Sequence, residues 1–215
     1  MSTSVPSAGN RFRGRQQREG LLLLAGIVAL MWLVEAVNWI DGYRLDNDGI
    51  VPRNFGHLWG IFTSPFIHAN FAPHLLDNTI PLVFMGVIIA LAGAARLAWV
   101  TFIVILVGGL GTWLIAPSGT VTIGASGVVF GYATYLFARG LFNRNLVELV
   151  VGIVVGVVWG GALLASVVPH YGVSWQAHVC GAIGGVVAAA VMARERPARG
   201  KPAEGRSEGL PAALS

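Results

Sequence analysis

Six apolar runs, separated by short polar segments, make up most of this 215-residue chain. Each run approaches the roughly 20 residues that a helix needs to cross about 30 Å of hydrocarbon. The first run is too long for the core of a signal peptide and has no small-residue cleavage site after it, so we interpret it as a helix. The pattern predicts six transmembrane helices, at residues 20–40, 74–91, 97–116, 124–141, 147–168 and 176–193.

The composition agrees with this pattern. Hydrophobic residues form 55% of the chain and charged residues 11%, whereas about a quarter of the residues of a soluble domain are charged. We therefore expect an all-α integral membrane protein with one domain over residues 20–193, between basic, disordered tails at 1–19 and 194–215. The single cysteine, Cys180, excludes an intrachain disulfide and a cysteine metal cluster.

The basic residues predict the orientation of the bundle. Six spans place all of the 14 lysines and arginines on one side of the membrane except Arg44 and Arg53. By the positive-inside rule, both termini are then cytoplasmic. The basic residues on the cytoplasmic side fix the orientation of the protein in the membrane, and they account for the net charge of +4. We therefore predict no nucleic-acid partner. The excess of Ala, Gly, Val and Arg over Lys favours a bacterial protein, and we expect it in the plasma membrane.

One long connection, residues 41–73, lies on the opposite, outer side. It combines charged residues with aromatic ones such as Trp59 and Phe66. We therefore expect it to be ordered and partly embedded at the membrane interface. We expect Glu35 and Asn38, at the outer end of the first span, to lie at the interface as well.

Three predicted spans, the second, fourth and sixth, begin on this outer side with polar residues in their first turns. These residues are His74 and Asn78, then Ser126, then His178. Polar side chains inside a bilayer are costly and usually face the bundle interior or a water-filled cavity. We therefore expect the four side chains to share one layer just below the outer surface.

Two glycine pairs lie directly below this layer. Gly127 and Gly131 follow the serine, and Gly181 and Gly185 follow the histidine of the last span. Small residues four positions apart let helix backbones approach closely. If these two faces pack together, the imidazole arrives beside the hydroxyl, as a general base must to activate a serine nucleophile.

The same layer offers hydrogen-bond donors for an oxyanion. Ser126 begins a helix, where backbone N–H groups are free and the helix dipole favours negative charge. Asn78 and His74 are four residues apart on one helix face, so their side chains can donate to the same place. We interpret Asp77 as a structural hydrogen-bond partner of His74, with a triad as the alternative.

Structural explanations compete with catalysis for each feature taken alone. A Gly-x-Ser-Gly segment, like the glycine series over residues 152–160, is more often helix packing. An intramembrane histidine is as often a satisfied polar group as a catalyst. A metal site at His68, His74 and His178 lacks a carboxylate to complete it, so no metal is predicted. The coincidence of depth, helix face and chemistry favours a catalytic site.

Three segments follow one another in an order that is typical of a known family. A loop segment, LWGIFTSPFIH with Trp59, leads into the first of them. In these segments the chain resembles the rhomboid intramembrane serine proteases, and the shared topology extends the resemblance to most of residues 20–193. The segments are HANFAPHLLDN with His68, His74 and Asn78, GASG with Gly124, Ser126 and Gly127, and AHVCGAIGG with His178, Gly181 and Gly185.

The resemblance implies a six-helix rhomboid-like bundle that hydrolyses peptide bonds in or beside transmembrane segments of membrane proteins. It implies Ser126 as the nucleophile and His178 as the base, with no acid required. Asn78, His74 and the Ser126 N–H would form the oxyanion hole. Loop 41–73 would lie in the outer leaflet, substrates would enter from the lipid bilayer and water from the outer face. No cofactor is implied.

The chain departs from the commonest family pattern in three places. Gly60 stands in the loop where arginine is frequent, which questions the internal bracing of the loop. The interval between His68 and His74 is one residue longer. Phe130 replaces a frequent tyrosine and can stack on the catalytic histidine but cannot donate a hydrogen bond. Two other functions stay open, a rhomboid-like protein that binds transmembrane helices without cutting them and a small transporter.

Overall fold

The computed structural model describes residues 8–168 and 172–193. The six long helices in it coincide with the six predicted apolar runs, because in an apolar environment a helix satisfies its own backbone hydrogen bonds. A one-turn helix lies in the connection between the first and second of them. The helices are α1 (Ala8–Ile40), α2 (Gly60–Thr63), α3 (Leu76–Ala90), α4 (Ala94–Ile115), α5 (Ser126–Asn143), α6 (Leu146–Ala165) and α7 (Trp175–Ala193).

Among the described residues, three helices are long and apolar enough to cross a bilayer: α1 over Phe12–Ile40, α4 and α7. The helix α3 and the Leu146–Ala162 part of α6 are apolar but shorter. With 15 residues, α3 is about 22 Å long at 1.5 Å per residue. The fold is thus a helical bundle with three candidate spans and shorter apolar helices, and membrane crossing by all six long helices stays a prediction.

The first helix extends further toward the N-terminus than predicted. It begins at Ala8, so the prediction of a disordered tail is wrong for residues 8–19. Arg, Gln and Glu favour helix, and Arg15 pairs with Glu19 one turn later at 2.8 Å. The remainder of the two predicted tails, 1–7 and 194–215, lies outside the described residues.

The helix α5 lies at the centre of the bundle and packs against α4, α6 and α7. Its Tyr132 and Tyr135 are fully buried. The hydroxyl of Tyr132 is hydrogen bonded to Thr101 of α4 at 2.6 Å, and that of Tyr135 accepts from Arg96 at 3.1 Å. Both buried hydroxyls are therefore paired, as polar groups in an apolar core need to be. The central position of α5 sets its first residue, Ser126, at the junction of several helices.

The contact between α5 and α7 depends on glycine. A Cβ at Gly181 would collide with the carbonyl oxygen of Gly127, and a Cβ at Gly185 would collide with that of Gly131. A Cβ at Gly131 would also collide with Val104 of α4. The two backbones are thus in direct contact, and not even a methyl group fits between them.

The glycines of α6 are arranged differently. Gly152 packs on the backbone of Phe137 in α5, whereas Gly156 and Gly160 face open space. The interpretation of this glycine series as a continuous packing stripe is therefore wrong beyond Gly152.

The connection between α1 and α3 folds against the ends of the helices. Ile50 and Thr122 exchange both backbone hydrogen bonds, at 2.8 and 3.0 Å, which ties the loop to the segment before α5. Short turns of 3₁₀ helix occupy Arg44–Asp48, Phe55–His57 and Ser64–Phe66.

Arg53 braces this loop. Its guanidinium donates to the carbonyl oxygens of Leu114 and Ala116, both at 2.8 Å, and to the Ser118 hydroxyl at 2.6 Å. These carbonyls lie at the C-terminal end of α4, where unpaired acceptors and the helix dipole favour a cation. Position 60 requires glycine for a different reason, because a Cβ there would collide with the carbonyl oxygen of Gly49 in the same loop.

Glu35 and Asn38 are fully buried within the protein, and their position at the level of the membrane interface stays a prediction. Asn38 Nδ2 donates to Asp46 Oδ1 at 2.9 Å and to the carbonyl oxygen of His68 at 3.3 Å. Its Oδ1 accepts from the N–H of Leu45 at 3.0 Å. The loop thus folds over the outer end of α1 and is tied to it by a buried amide.

Candidate active site

Ser126 and His178 meet in the structure, although 51 residues separate them in the chain. Ser126 is the first residue of α5 and His178 lies in the first turn of α7. The Ser126 Oγ is 2.9 Å from His178 Nε2, a normal hydrogen-bond distance. The juxtaposition follows from the contact between Gly127 and Gly181, which brings the two backbones together at this level.

The His178 ring is held in one orientation from two sides. Its Nδ1 is 2.8 Å from the carbonyl oxygen of Ser166, at the C-terminal end of α6. A carbonyl oxygen only accepts, so Nδ1 carries the proton and Nε2 of the neutral ring accepts from the Ser126 hydroxyl. Phe130 stacks on the imidazole with ring centroids 4.4 Å apart and 7° between the planes. A main-chain carbonyl and an aromatic ring therefore orient this histidine.

Asn78 and His74 line the same cavity as Ser126, but each side chain already makes one hydrogen bond to a nearby residue. Asn78 Nδ2 donates to the carbonyl oxygen of His74 at 2.9 Å, which leaves one of its two hydrogens for another acceptor. His74 Nδ1 is 3.0 Å from Asn70 Oδ1, which also accepts from the His74 N–H at 3.2 Å. Nδ1 therefore carries the proton, and His74 can donate from Nε2 only in its protonated form.

The backbone around Ser126 offers further donors. Gly124 has φ +109°, a conformation that glycine adopts without strain, and its N–H donates to the carbonyl oxygen of Ser64 at 2.8 Å. Within the described part of the chain, the N–H groups of Ser126 and Gly127 have no acceptor, as expected for the first residues of a helix. These N–H groups can stabilise negative charge that develops near the Ser126 Oγ.

His68, predicted as a loop residue of the family segment, lies directly behind the serine. Its side chain is 1% exposed and its Nε2 accepts from the N–H of Ala125 at 3.2 Å. Burial lowers the pKa of His68 to about 4, so the ring is neutral near pH 7 and Nε2 is free of a proton, as this hydrogen bond requires. Among the described residues, no group of His, Cys, Asp and Glu is placed to hold a metal ion.

The longer interval between His68 and His74 is absorbed by one turn of π-helix, Phe71–Leu75, directly before α3. The N–H of Leu75 bonds to the carbonyl oxygen five residues earlier, that of Asn70, at 3.2 Å. A π turn holds one residue more than an α turn. The extra residue therefore fits without moving His74 away from the start of α3.

A cavity of about 640 Å³ opens at the serine. Its walls come from α3, α5, α6, α7 and the segments that join them. Phe130 and Trp159 form aromatic walls, and Trp159 of α6 contacts Phe84 of α3 with ring centroids 4.7 Å apart. The Ser126 hydroxyl is thus reachable from a space large enough for a peptide segment.

Asp77 is also part of the cavity wall. The prediction of a hydrogen bond between Asp77 and His74 is wrong, because His74 bonds to Asn70 instead. The Asp77 side chain is exposed to the cavity, and within the described residues it has no hydrogen-bond or ion-pair partner. The sequence pattern does not show whether His74 bonds to Asn70 or to Asp77, since both residues lie within about one turn of it.

Sequence reasoning missed the Ser166 carbonyl and the role of His68. A main-chain carbonyl carries no side-chain signal, so no motif search finds it. The contact of His68 with Ala125 joins residues 57 positions apart, and no helical period connects them.

Comparison with known proteins shows the family to which the chain is similar. A model of the Rhomboid domain matches residues 55–195. An uncharacterized protein of Mycobacterium tuberculosis is 45% identical over 194 residues, which cover 86% of this chain and 80% of that protein. One of Mycobacterium leprae is 43% identical over 204 residues, or 90% and 80%. The Bacillus subtilis protein named "Putative rhomboid protease YdcA" is 27% identical over 184 residues, or 82% and 89%.

The domain match covers more than half of the chain, so this protein belongs to the rhomboid family. Its candidate membrane spans agree with an integral membrane protein. The four segments that resemble the rhomboid proteases all lie within the matched residues.

Proposed function

We propose that this protein is an intramembrane serine endopeptidase that cleaves transmembrane or juxtamembrane segments of other membrane proteins. The observation that carries the proposal is the 2.9 Å contact of Ser126 Oγ with His178 Nε2, in a ring whose Nδ1 is held by the Ser166 carbonyl. A protein that only binds helices has no need for a nucleophile and a base in this relation. Family membership supports the same activity.

The proposed reaction begins when His178 Nε2 takes the proton of the Ser126 hydroxyl while Oγ attacks the carbonyl carbon of the substrate. The carbonyl oxygen becomes an oxyanion, which receives hydrogen bonds from the N–H groups of Ser126 and Gly127 and from Asn78 Nδ2. His178 then delivers its proton to the leaving amine as the C–N bond breaks. The acyl group stays on Ser126.

Water completes the cycle. His178 Nε2 takes a proton from a water molecule, the hydroxide attacks the acyl carbon, and the bond to Ser126 Oγ breaks as the proton returns to the serine. No cofactor or metal enters these steps. His74 contributes to oxyanion binding in its protonated form, because its neutral form has an acceptor at Nε2.

We further propose the finer membrane arrangement: six crossings, both termini in the cytoplasm and the Ser126 layer toward the outer face of the bacterial plasma membrane. The distribution of basic residues supports it. Because Cys180 is buried, the wild type provides a low background for a membrane-impermeant maleimide. A new cysteine at Asn47 should be labelled in intact cells, and one at Arg18 only after lysis. The opposite labelling pattern would refute the orientation.

The test of the activity is covalent labelling by a fluorophosphonate, which reacts with activated serines. The wild type should be labelled, and Ser126→Ala should not. Ser118→Ala is a matched control, since that hydroxyl binds Arg53 at the loop and lies outside the cavity. A folded wild type that resists labelling would favour a binding protein without protease activity.

A further inference from the structure

We infer that Asp77 is a specificity-determining residue that selects substrates with a lysine or arginine near the cleaved bond. This inference rests on the proposed function. It concerns a carboxylate that lines the cavity at Ser126 and His178 but takes part in none of the proposed chemical steps.

The first observation is the isolation of this charge. Asp41 bonds to Arg44, Asp46 to Asn38, and Glu148 to Arg139 and Asn143. The Glu35 carboxylate also lacks a hydrogen-bond partner in the described chain, but it is buried and does not line the cavity. Asp77 has no such partner within the described residues. A carboxylate in this position is available to a group that arrives from outside.

The second observation is the charge of the cavity. Among its lining residues, Asp77 is the one aspartate or glutamate, and no lysine or arginine is present in the described wall. The titratable side chains with it are His68, His74 and His178. His68 is neutral near pH 7, and His178 is neutral when it acts as a base. While His74 is also neutral, the wall carries the single negative charge of Asp77 and therefore attracts a cation and repels an anion.

The third observation is the position of Asp77 on α3. It directly precedes Asn78, an oxyanion donor in the proposed mechanism, and shares a helix face with Ile80, three residues later and also in the wall. The backbones of α3 and α6 make little contact, and the ring pair Phe84–Trp159 bridges them. A peptide that reaches Ser126 along this side passes Asp77 within a few residues of its cleaved bond.

The size of the effect follows from the exposure of the carboxylate. An ion pair that keeps some contact with water changes an equilibrium by about two- to fivefold, and apolar walls strengthen it. Repulsion of an anion acts in the opposite direction. We therefore expect about tenfold between a lysine substrate and the matching glutamate substrate.

The experiment uses the full-length protein in liposomes with a single-span model substrate. One residue at a time, through the segment around the cleaved bond, is changed to Lys, Gln or Glu, and kcat/KM is measured. At one or two positions, the wild type should cleave the Lys substrate about tenfold faster than the Glu substrate. Asp77→Asn, which keeps the shape and removes the charge, should abolish that preference, and Asp77→Lys should invert it.

Asp41→Asn is the matched control, because it removes an aspartate that pairs with Arg44 and does not line the cavity. It should keep the wild-type preference. Equal cleavage of all three substrates by the wild type, or a Lys preference that survives in Asp77→Asn, would overturn the inference and leave the protease intact. Failure to cleave even the uncharged substrate would overturn the proposed function and this inference together.

Discussion

The Nε2 atom of His68 lies 3.2 Å from the amide nitrogen of Ala125, the residue directly before Ser126. A buried side chain of the loop thus fixes the backbone from which the nucleophile projects. His68 is itself tied to α1, because its carbonyl oxygen accepts from Asn38. The loop, the first helix and the start of α5 therefore form one connected unit behind the serine.

His68 should act as a positioning residue. His68→Ala leaves the Ala125 N–H buried without an acceptor, and such a loss costs about 1–3 kcal/mol. We expect kcat to fall at least tenfold with a smaller change in KM, because the serine moves while the substrate-binding walls remain. His68→Gln, which offers Oε1 as an acceptor, should recover part of the activity. Equal activity of His68→Ala and the wild type would contradict this role.

The stability of the protein should depend on His68 as the pH falls. Burial lowers the pKa of this imidazole from 6.5 to about 4, so between these values the unfolded chain binds a proton that the folded chain excludes. The stabilisation is complete above about pH 6.5, decreases as the pH falls toward 4, and reaches a loss of about 3 kcal/mol below it. Thermal unfolding in detergent between pH 7.5 and 4.5 measures the loss. It should be smaller in His68→Gln, and parallel curves for the two proteins would exclude His68 as its source.

Gly181 should tolerate no larger residue. Gly181→Ala places a methyl group against the Gly127 carbonyl, which separates α5 from α7 and moves His178 away from Ser126. We expect activity to be lost or reduced at least a hundredfold. Gly156→Ala is the control, since that position faces open space and alanine favours helix. Cleavage of the model substrate and thermal stability of both variants check this, and wild-type activity in Gly181→Ala would refute the close-packing argument.

Asn78 should contribute to the transition state more than to binding. Removal of one oxyanion donor typically costs about 3 kcal/mol, so Asn78→Ala should lower kcat by roughly 10²–10³ with little change in KM. Asn70→Ala offers a comparison, because Asn70 contacts His74 and only indirectly affects the oxyanion. A KM effect without a kcat effect in Asn78→Ala would assign this amide to substrate binding.

The sequence predicts the helices well because apolar runs of membrane length leave the backbone few alternatives. It also predicts which glycines allow α5 and α7 to touch, since Gly181 shares a helix face with His178 and Gly127 directly follows Ser126. It does not predict which partner a polar side chain chooses. His74 bonds to Asn70 and not to Asp77, and the burial of Glu35 and Asn38 depends on how the loop folds over α1.

The central claim is that Ser126 and His178 act together on a peptide bond. The most direct measurement is cleavage of a single-span model substrate in liposomes by the wild type, Ser126→Ala and His178→Ala, all shown to be folded by thermal unfolding. The wild type should cut the substrate, and both variants should lose cleavage by several orders of magnitude. Undiminished cleavage by either variant, or a folded wild type that leaves every such substrate intact, would contradict the claim.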